Sequence, residues 1–146
     1  MRTIRIAVGS NDGTHVVPGH FGESRVFLVY ELTEDGNYRL VEKRENTSPT
    51  EGPKSHDVVE KRRAVLSILS DCQVFVGGRM SPSFAKLRDG SSVQPVVSEV
   101  TPIPEFVNRL GADFEHLFAL VQARTRGERP PEIPVIKKKR RDPQVT

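Results

Sequence analysis

The sequence predicts a single α/β domain built on a mixed sheet of about five strands with helices on its faces. Three observations lead to this prediction. Residues 3–45 contain three strand-like stretches, two of them joined by a hairpin signal. Residues 55–126 then alternate helical and strand patterns, which is typical of parallel strands joined by crossovers. The chain has 146 residues, the size of one domain and enough to bury one core.

The amino-terminal third reads as three strands. Apolar residues alternate over residues 3–9, and residues 25–32 are more continuously apolar, as in a buried strand. The stretch 34–37 (Glu-Asp-Gly-Asn) is a strong turn signal, and residues 38–45 return as a more polar strand. We therefore expect the second and third strands to pair antiparallel, with the third nearer an edge.

The remainder alternates helices with short strands. A stripe at helical spacing predicts a helix from Ser55 to about Ser70; it contains Val58, Val59, Arg62, Val65, Leu66 and Leu69. Residues 73–76 form a short strand that ends at a glycine pair. Ser81-Pro82 then starts a second helix, and residues 93–97 form the last strand. One final helix is expected from about residue 102 to 126, giving the order β-β-β-α-β-α-β-α.

The composition indicates a soluble cytoplasmic protein. Hydrophobic residues make up 36% and charged residues 28% of the chain. No apolar run approaches the roughly 18–20 residues of a membrane span. The single cysteine, Cys72, excludes an internal disulfide and suits a reducing compartment. One thiol also cannot build a thiolate-ligated zinc or iron–sulfur site by itself.

The positive charge belongs to the carboxyl terminus. Residues 124–146 hold eight of the 22 basic and three of the 19 acidic residues, so the remaining body carries a formal charge of −2. We expect a folded domain over residues 1–126 and a flexible basic, proline-rich tail over residues 127–146. The run 137–141 is expected to aid solubility or touch an acidic partner. Nucleic-acid binding by the tail is the alternative, but the body lacks the basic face that a nucleic-acid-binding domain presents.

The least ordinary segment is residues 12–24, which carries three glycines and two histidines between two core strands. Glycines at such a density suit a sharp turn or a close approach of the backbone to a ligand. Neutral imidazole is a good transition-metal ligand, so His20 is a candidate ligand, with Phe21 anchoring the loop and Gly22 keeping space around it. The alternative is a histidine that only hydrogen-bonds within a tight turn.

Several segments together resemble a known family. They are Ile4-Arg5-Ile6-Ala7-Val8, Asp12-Gly13, His20-Phe21-Gly22, Phe27-Leu28-Val29-Tyr30, Glu45-Asn46, and Leu69-Ser70-Asp71-Cys72-Gln73-Val74-Phe75-Val76-Gly77-Gly78. In this order and spacing they are similar to the dinitrogenase iron-molybdenum cofactor biosynthesis family, over about residues 3–121.

That resemblance implies a ribonuclease-H-like, three-layer fold. It also implies that the protein binds, stores or carries the iron-molybdenum cofactor of nitrogenase or an iron–sulfur precursor cluster, with His20 matching the family motif. The implied partner is a nitrogenase-assembly protein or another cofactor-receiving protein, and a homodimer is among the expected states.

The chain departs from the family after Glu45-Asn46, where it has only His56 in place of a Gly- and His-rich stretch. Arg79-Met80 also follow the glycine pair where a further glycine is common.

Three further positions are candidates for binding a metal or cofactor, and each also has a purely structural interpretation. His56 is a possible second metal ligand or a solvated residue at a helix start. Cys72 is a possible thiolate ligand or a small buried side chain. Gly77 and Gly78, with Arg79, could receive an anionic cofactor before a helix N-terminus, or simply form a tight strand-to-helix turn.

No catalytic constellation is evident, so we expect a binding protein and not an enzyme. Ribonuclease-H-like nucleases need several convergent carboxylates, and the first strand carries Arg5 instead of a central acid. Neither a G-x-S-x-G elbow nor an H-E-x-x-H pair occurs. The competing hypothesis to a cofactor carrier is a protein-interaction or regulatory domain of the same fold that binds no metal.

Overall fold

The computed structural model describes residues 1–50 and 55–138. The chain is α/β, as the sequence predicts. Its elements are, in order, β1 (Thr3–Ser10), a 3₁₀ turn (Phe21–Glu23), β2 (Val26–Thr33), β3 (Tyr38–Glu45), α1 (Ser55–Ile68), β4 (Val74–Gly77), α2 (Pro82–Gly90), β5 (Gln94–Ser98), α3 (Ile103–Ala112), α4 (Phe114–Thr125) and β6 (Val135–Ile136).

The strands form one mixed sheet in the order β3-β2-β1-β4-β5-β6. β2 lies antiparallel to both β1 and β3, with Thr3 opposite Thr33 and Ser10 opposite Val26. β1, β4, β5 and β6 are parallel to one another. The predicted antiparallel pair and the edge position of the third strand are confirmed. Since β1 and β4 are adjacent and parallel, the loops that follow them meet at one end of the sheet.

Helices cover both faces of the sheet because side chains alternate along each strand. On one face, Ile4, Ile6 and Val8 of β1 pack with buried residues of α3 and α4. On the other face, Ala7 of β1 packs with buried residues of α1 and α2, among them Val65. The parallel strand β4 is buried along its whole length, as expected between two helical layers. Phe21 belongs to this second cluster, so the loop between β1 and β2 that carries His20 packs with α1 and α2.

The single final helix predicted from the sequence is wrong, because α3 and α4 are separate. The break falls at Asp113, whose backbone leaves helical geometry and whose N–H bonds the Leu110 carbonyl at 3.0 Å. Just before it, Gly111 packs against the carbonyl oxygen of Gly36. Apolar residues recur through the break, which is why the periodicity alone indicates one helix. Within residues 1–50 and 55–138, none of the helices has the length and apolar character that crossing a membrane requires.

The first part of the predicted tail, from Gly127 onward, contains a strand of the sheet. Residues 135–136 form β6, where Val135 lies opposite Val97 and Ile136 opposite Ser98. Ile136 is buried in the core on the face of α3 and α4. The sheet therefore has six strands and not about five. A two-residue strand between proline-rich and basic segments is too short to give a periodic signal, and the predicted tail beyond Lys138 lies outside the described residues.

Arg124 of α4 joins the carboxyl-terminal segment to the body. Its side chain is only 2% exposed. Its Nε donates to Gln94 Oε1 at 2.7 Å, and its terminal nitrogens donate to the carbonyls of Arg88, Ser91 and Pro130 at 2.8, 3.2 and 3.0 Å. Burial lowers the pKa of this guanidinium from its ordinary value. One buried cation thus fixes α4, the turn after α2 and the approach to β6.

We expect Arg124→Met to lower the free energy of unfolding by about 2–4 kcal/mol, because it leaves buried carbonyls without donors. Urea denaturation at neutral pH measures the change. Arg126→Met is the matched control, since Arg126 is exposed and pairs only with nearby Glu128 among the contacts described. It should change stability by less than about 0.5 kcal/mol. Equal effects of the two substitutions would contradict the structural role given to Arg124.

Candidate functional site

The loop between β1 and β2 is fixed across the carboxyl ends of β1 and β4. Val16 N–H donates to the Thr101 carbonyl at 2.8 Å, and Val17 N–H donates to the Gly9 carbonyl at 2.7 Å. The chain then passes over Gly78, whose N–H donates to the Gly19 carbonyl at 3.2 Å. Backbone hydrogen bonds therefore hold the segment that leads into His20.

The glycine pair after β4 makes room for this crossing. A Cβ placed on Gly78 would lie 2.1 Å from the Val17 carbonyl oxygen, which no real side chain tolerates. A Cβ on Gly77 would lie 3.1 Å from Phe21 Cβ. Because the Gly78 N–H is already bonded to Gly19, the predicted anion-receiving role of the pair is not supported. Arg79 is exposed and lies outside the cavity described below.

Phe21 anchors the loop in the core. Its ring is 3% exposed and stacks on Phe75 of β4 with 4.8 Å between ring centroids. Phe27 and Phe84 surround it at 4.9 and 5.8 Å. Burying an aromatic ring of this size contributes on the order of 2–3 kcal/mol, so the position of the 3₁₀ turn is strongly specified.

Polar contacts fix the other side of His20. Ser24 Oγ donates to the Phe21 carbonyl at 2.7 Å. Asn46, which follows β3, donates from Nδ2 to the carbonyls of Gly22 and Ser24 at 2.9 and 2.7 Å. The backbone is thus bonded both before and after His20, while the His20 side chain itself is exposed. This arrangement presents an imidazole from a fixed position.

Behind His20 lies a cavity of about 210 Å³, named here the His20 cavity. It is bounded by the 3₁₀ turn, α1, β4 and the amino end of α2. Its apolar lining consists mainly of Phe21, Val65, Leu66, Phe75, Phe84 and Leu87. Since His20 is both exposed and part of the lining, it stands at the mouth.

Two cations of α1 line the cavity. Lys61 is buried, and its Nζ donates to the Pro49 carbonyl at 3.0 Å and lies 3.7 Å from Glu23 Oε1. Arg62 has a buried Nε that finds no hydrogen-bond partner within the described part of the chain. Among the described lining residues Glu23 is the only acid, and their formal charge is +1 when His20 is neutral.

Sequence reasoning missed both cations as site residues. The available signal was Arg62 itself, which occupies an apolar stripe among Val58, Val65 and Leu66. A charged side chain on a core-facing stripe needs a partner or an opening to water. In this structure the stripe faces the cavity.

The amino end of α2 completes the wall. Ser81 is the N-cap residue that the sequence predicts, and its Oγ accepts the Phe84 N–H at 3.1 Å. Pro82 occupies the first helical position. The positive end of this helix therefore adds to the field of the two α1 cations.

The family model described as dinitrogenase iron-molybdenum cofactor matches residues 2–113. The chain belongs to this family. The matched region includes β1 through α3, and so contains the His20 loop, the glycine pair and all the walls of the cavity. No curated protein sequence is significantly similar to the chain.

In this member of the dinitrogenase iron-molybdenum cofactor family, Cys72 lies far from His20. It precedes β4, at the opposite end of that strand from Gly78, roughly 20 Å away by the rise of an extended chain. Burial, and then the charge of Asp71, raises the pKa of the Cys72 thiol to about 12. Asp71 itself is held by Arg44 at 2.7 Å and Arg5 at 3.0 Å, which lowers the pKa of that carboxyl. The position favours the buried-residue interpretation of Cys72.

Two of the predicted metal ligands, His20 and Cys72, are thus not brought together. His56 begins α1, but its side chain lies outside the described residues. Across residues 1–50 and 55–138, no three or more His, Cys, Asp or Glu side chains cluster in a way that could hold a metal ion. What the described residues offer is one exposed imidazole beside a cationic, apolar-floored cavity.

We expect Gly78→Ala to destabilise the protein by about 1–3 kcal/mol, because the added methyl group forces the Val17 carbonyl away. Hydrogen exchange should show the loss concentrated at the amides of residues 16–24. Gly90→Ala is the control, since a Cβ there meets nothing within 4 Å. Wild-type stability of Gly78→Ala would contradict the account of the loop crossing.

Proposed function

We propose that this chain holds a preformed iron–sulfur-based cofactor at the mouth of the His20 cavity and delivers it to another protein. The cargo is the iron-molybdenum cofactor or its iron–sulfur precursor, and the recipient is a nitrogenase-assembly or other cofactor-receiving protein in the cytoplasm. Membership of the family supports involvement with that cofactor. The observation that carries the proposal is an exposed imidazole, on a fixed backbone, beside a cavity of net positive charge.

The imidazole of His20 would supply one metal–nitrogen bond. Neutral histidine binds iron and other transition metals through a ring nitrogen. A single protein ligand gives weaker, more exchangeable attachment than the four-ligand set of a structural site. That property suits holding and transfer, with no covalent change in the cargo.

The cavity wall would supply charge complementarity. A cluster of net negative charge is attracted by Lys61, Arg62 and the amino end of α2. Among the described residues the Nε of Arg62 finds no acceptor, so the guanidinium remains available to an acceptor on a bound group. The phenylalanines of the floor make the surroundings less polar than water, so each electrostatic contact is stronger than it would be at an open surface.

The strand order is consistent with the ribonuclease-H-like topology that the family resemblance implies, and we propose that assignment. Three antiparallel strands followed by parallel strands place the β1 and β4 ends side by side. The proposed site lies at that end of the sheet, outside the carboxyl ends of parallel strands, which is a common place for ligands in α/β proteins.

The test is anaerobic loading of the whole protein with purified iron-molybdenum cofactor, followed by gel filtration and measurement of protein-bound iron and molybdenum. We expect wild-type protein to retain the cofactor and His20→Ala to retain at least tenfold less, because the substitution removes the exposed imidazole at the mouth of the cavity.

His116→Ala is the matched control. His116 is also exposed, but it lies on α4 on the opposite face of the sheet, where its ring contacts Glu132 at 2.7 Å. Its loss should leave retention unchanged. Undiminished retention by His20→Ala would refute the ligand assignment. If the wild-type protein also retained no cofactor, the alternative of a metal-free interaction domain would replace the proposal.

A further inference from the structure

The interior of the His20 cavity has a composition that a metal cluster at its mouth does not require. Most of its lining is apolar, including the stacked pair Phe21 and Phe75. Its volume is about 210 Å³. For comparison, an apolar cavity of about 150 Å³ is large enough to bind benzene. The interior therefore has room for one aromatic ring and a small polar substituent.

Apart from the carboxylate of Glu23, the charged side chains that line the cavity are hydrogen-bond donors. Arg62 forms no ion pair with any carboxylate among residues 1–50 and 55–138, and its buried Nε has no acceptor there. A half-buried guanidinium without a carboxylate is poorly compensated. The ligand group that best matches a guanidinium is a carboxylate, which accepts two parallel N–H bonds.

Ser81 adds a second donor. It is buried, and its Oγ already accepts the Phe84 N–H, so the contacts of the described residues use it only as an acceptor. Its hydroxyl proton remains available to an acceptor inside the cavity. Ser81 also caps α2, and the positive end of that helix favours an anion. Arg62 and Ser81 come from different elements and line the same cavity.

We propose that the His20 cavity binds a small aromatic carboxylic acid. The carboxylate is held by the guanidinium of Arg62 and the hydroxyl of Ser81, and the ring packs against Phe21, Phe75 and Phe84. This inference goes beyond the proposed cofactor function, because the ligand is organic and its binding needs no metal.

The probe is phenylacetate, titrated into metal-free full-length protein and followed by calorimetry and by chemical-shift changes in protein NMR spectra. We expect saturable binding with one site per chain and shifts at the cavity phenylalanines. Phenylacetamide has the same shape without the charge and should bind at least tenfold more weakly. Acetate has the charge without the ring and should show no saturable binding in the same range.

Arg62→Met keeps the aliphatic stem and removes the charge, so it should weaken phenylacetate binding at least tenfold. Arg63→Met is the matched control, because Arg63 is the next residue of α1 and is exposed. It should bind phenylacetate as the wild type does. Thermal unfolding of both variants shows whether each is folded, and the comparison of phenylacetate with phenylacetamide on wild-type protein needs no variant at all.

Absence of phenylacetate binding to the wild-type protein would overturn the inference, as would equal affinity for phenylacetamide. Shifts confined to residues away from the cavity would overturn it as well. The outcome is separable from that of the cofactor proposal. Cofactor retention without phenylacetate binding refutes only the present inference, whereas phenylacetate binding without cofactor retention refutes only the carrier function.

Discussion

The geometry of the site depends on the place where the backbone before His20 crosses the glycine pair at the end of β4. The segment before His20 passes so close to the end of β4 that only glycine fits beneath it, with the Val17 carbonyl occupying the space where a Gly78 Cβ would be. The hydrogen bond from Gly78 to Gly19 fixes the height of the loop above the sheet. This contact positions the features that follow it in the chain: the exposed imidazole, the 3₁₀ turn and the buried ring of Phe21.

The residues that hold the loop in place are different from the residue that the loop exposes to solvent. Phe21 provides burial, and Asn46 provides hydrogen bonds to the carbonyls after the turn. Lys61 connects α1 to Glu23 and to the loop after β3, so three chain segments close around the cavity. The His20 carbonyl accepts the Glu23 N–H at 3.1 Å, but its side chain has no hydrogen bond to the described residues. A residue free of packing constraints can serve as a ligand at no cost to the fold.

Sequence patterns located the elements that have strong periods or strong turn chemistry. The strands β1 to β3, the hairpin at 34–37 and the Ser81-Pro82 helix start lie where alternation, glycine and capping chemistry place them. The Asp113 break and β6 were missed, because apolar spacing continues across the first and the second has only two residues. Val59, on the predicted apolar stripe, is 43% exposed. Arg124 and Lys61 were also missed, because the surroundings of a buried cation depend on tertiary contacts that spacing does not encode. Arg62 was missed although its place on an apolar stripe was a signal.

We propose that His20 is the residue that attaches the cargo. Crystals of the cofactor-loaded protein, with anomalous diffraction measured on both sides of the iron absorption edge, test it directly. We predict a metal peak about 2 Å from an imidazole nitrogen of His20, at the mouth of the cavity. A peak at the opposite end of β4 beside Cys72, or one with no protein ligand within bonding distance, would contradict it.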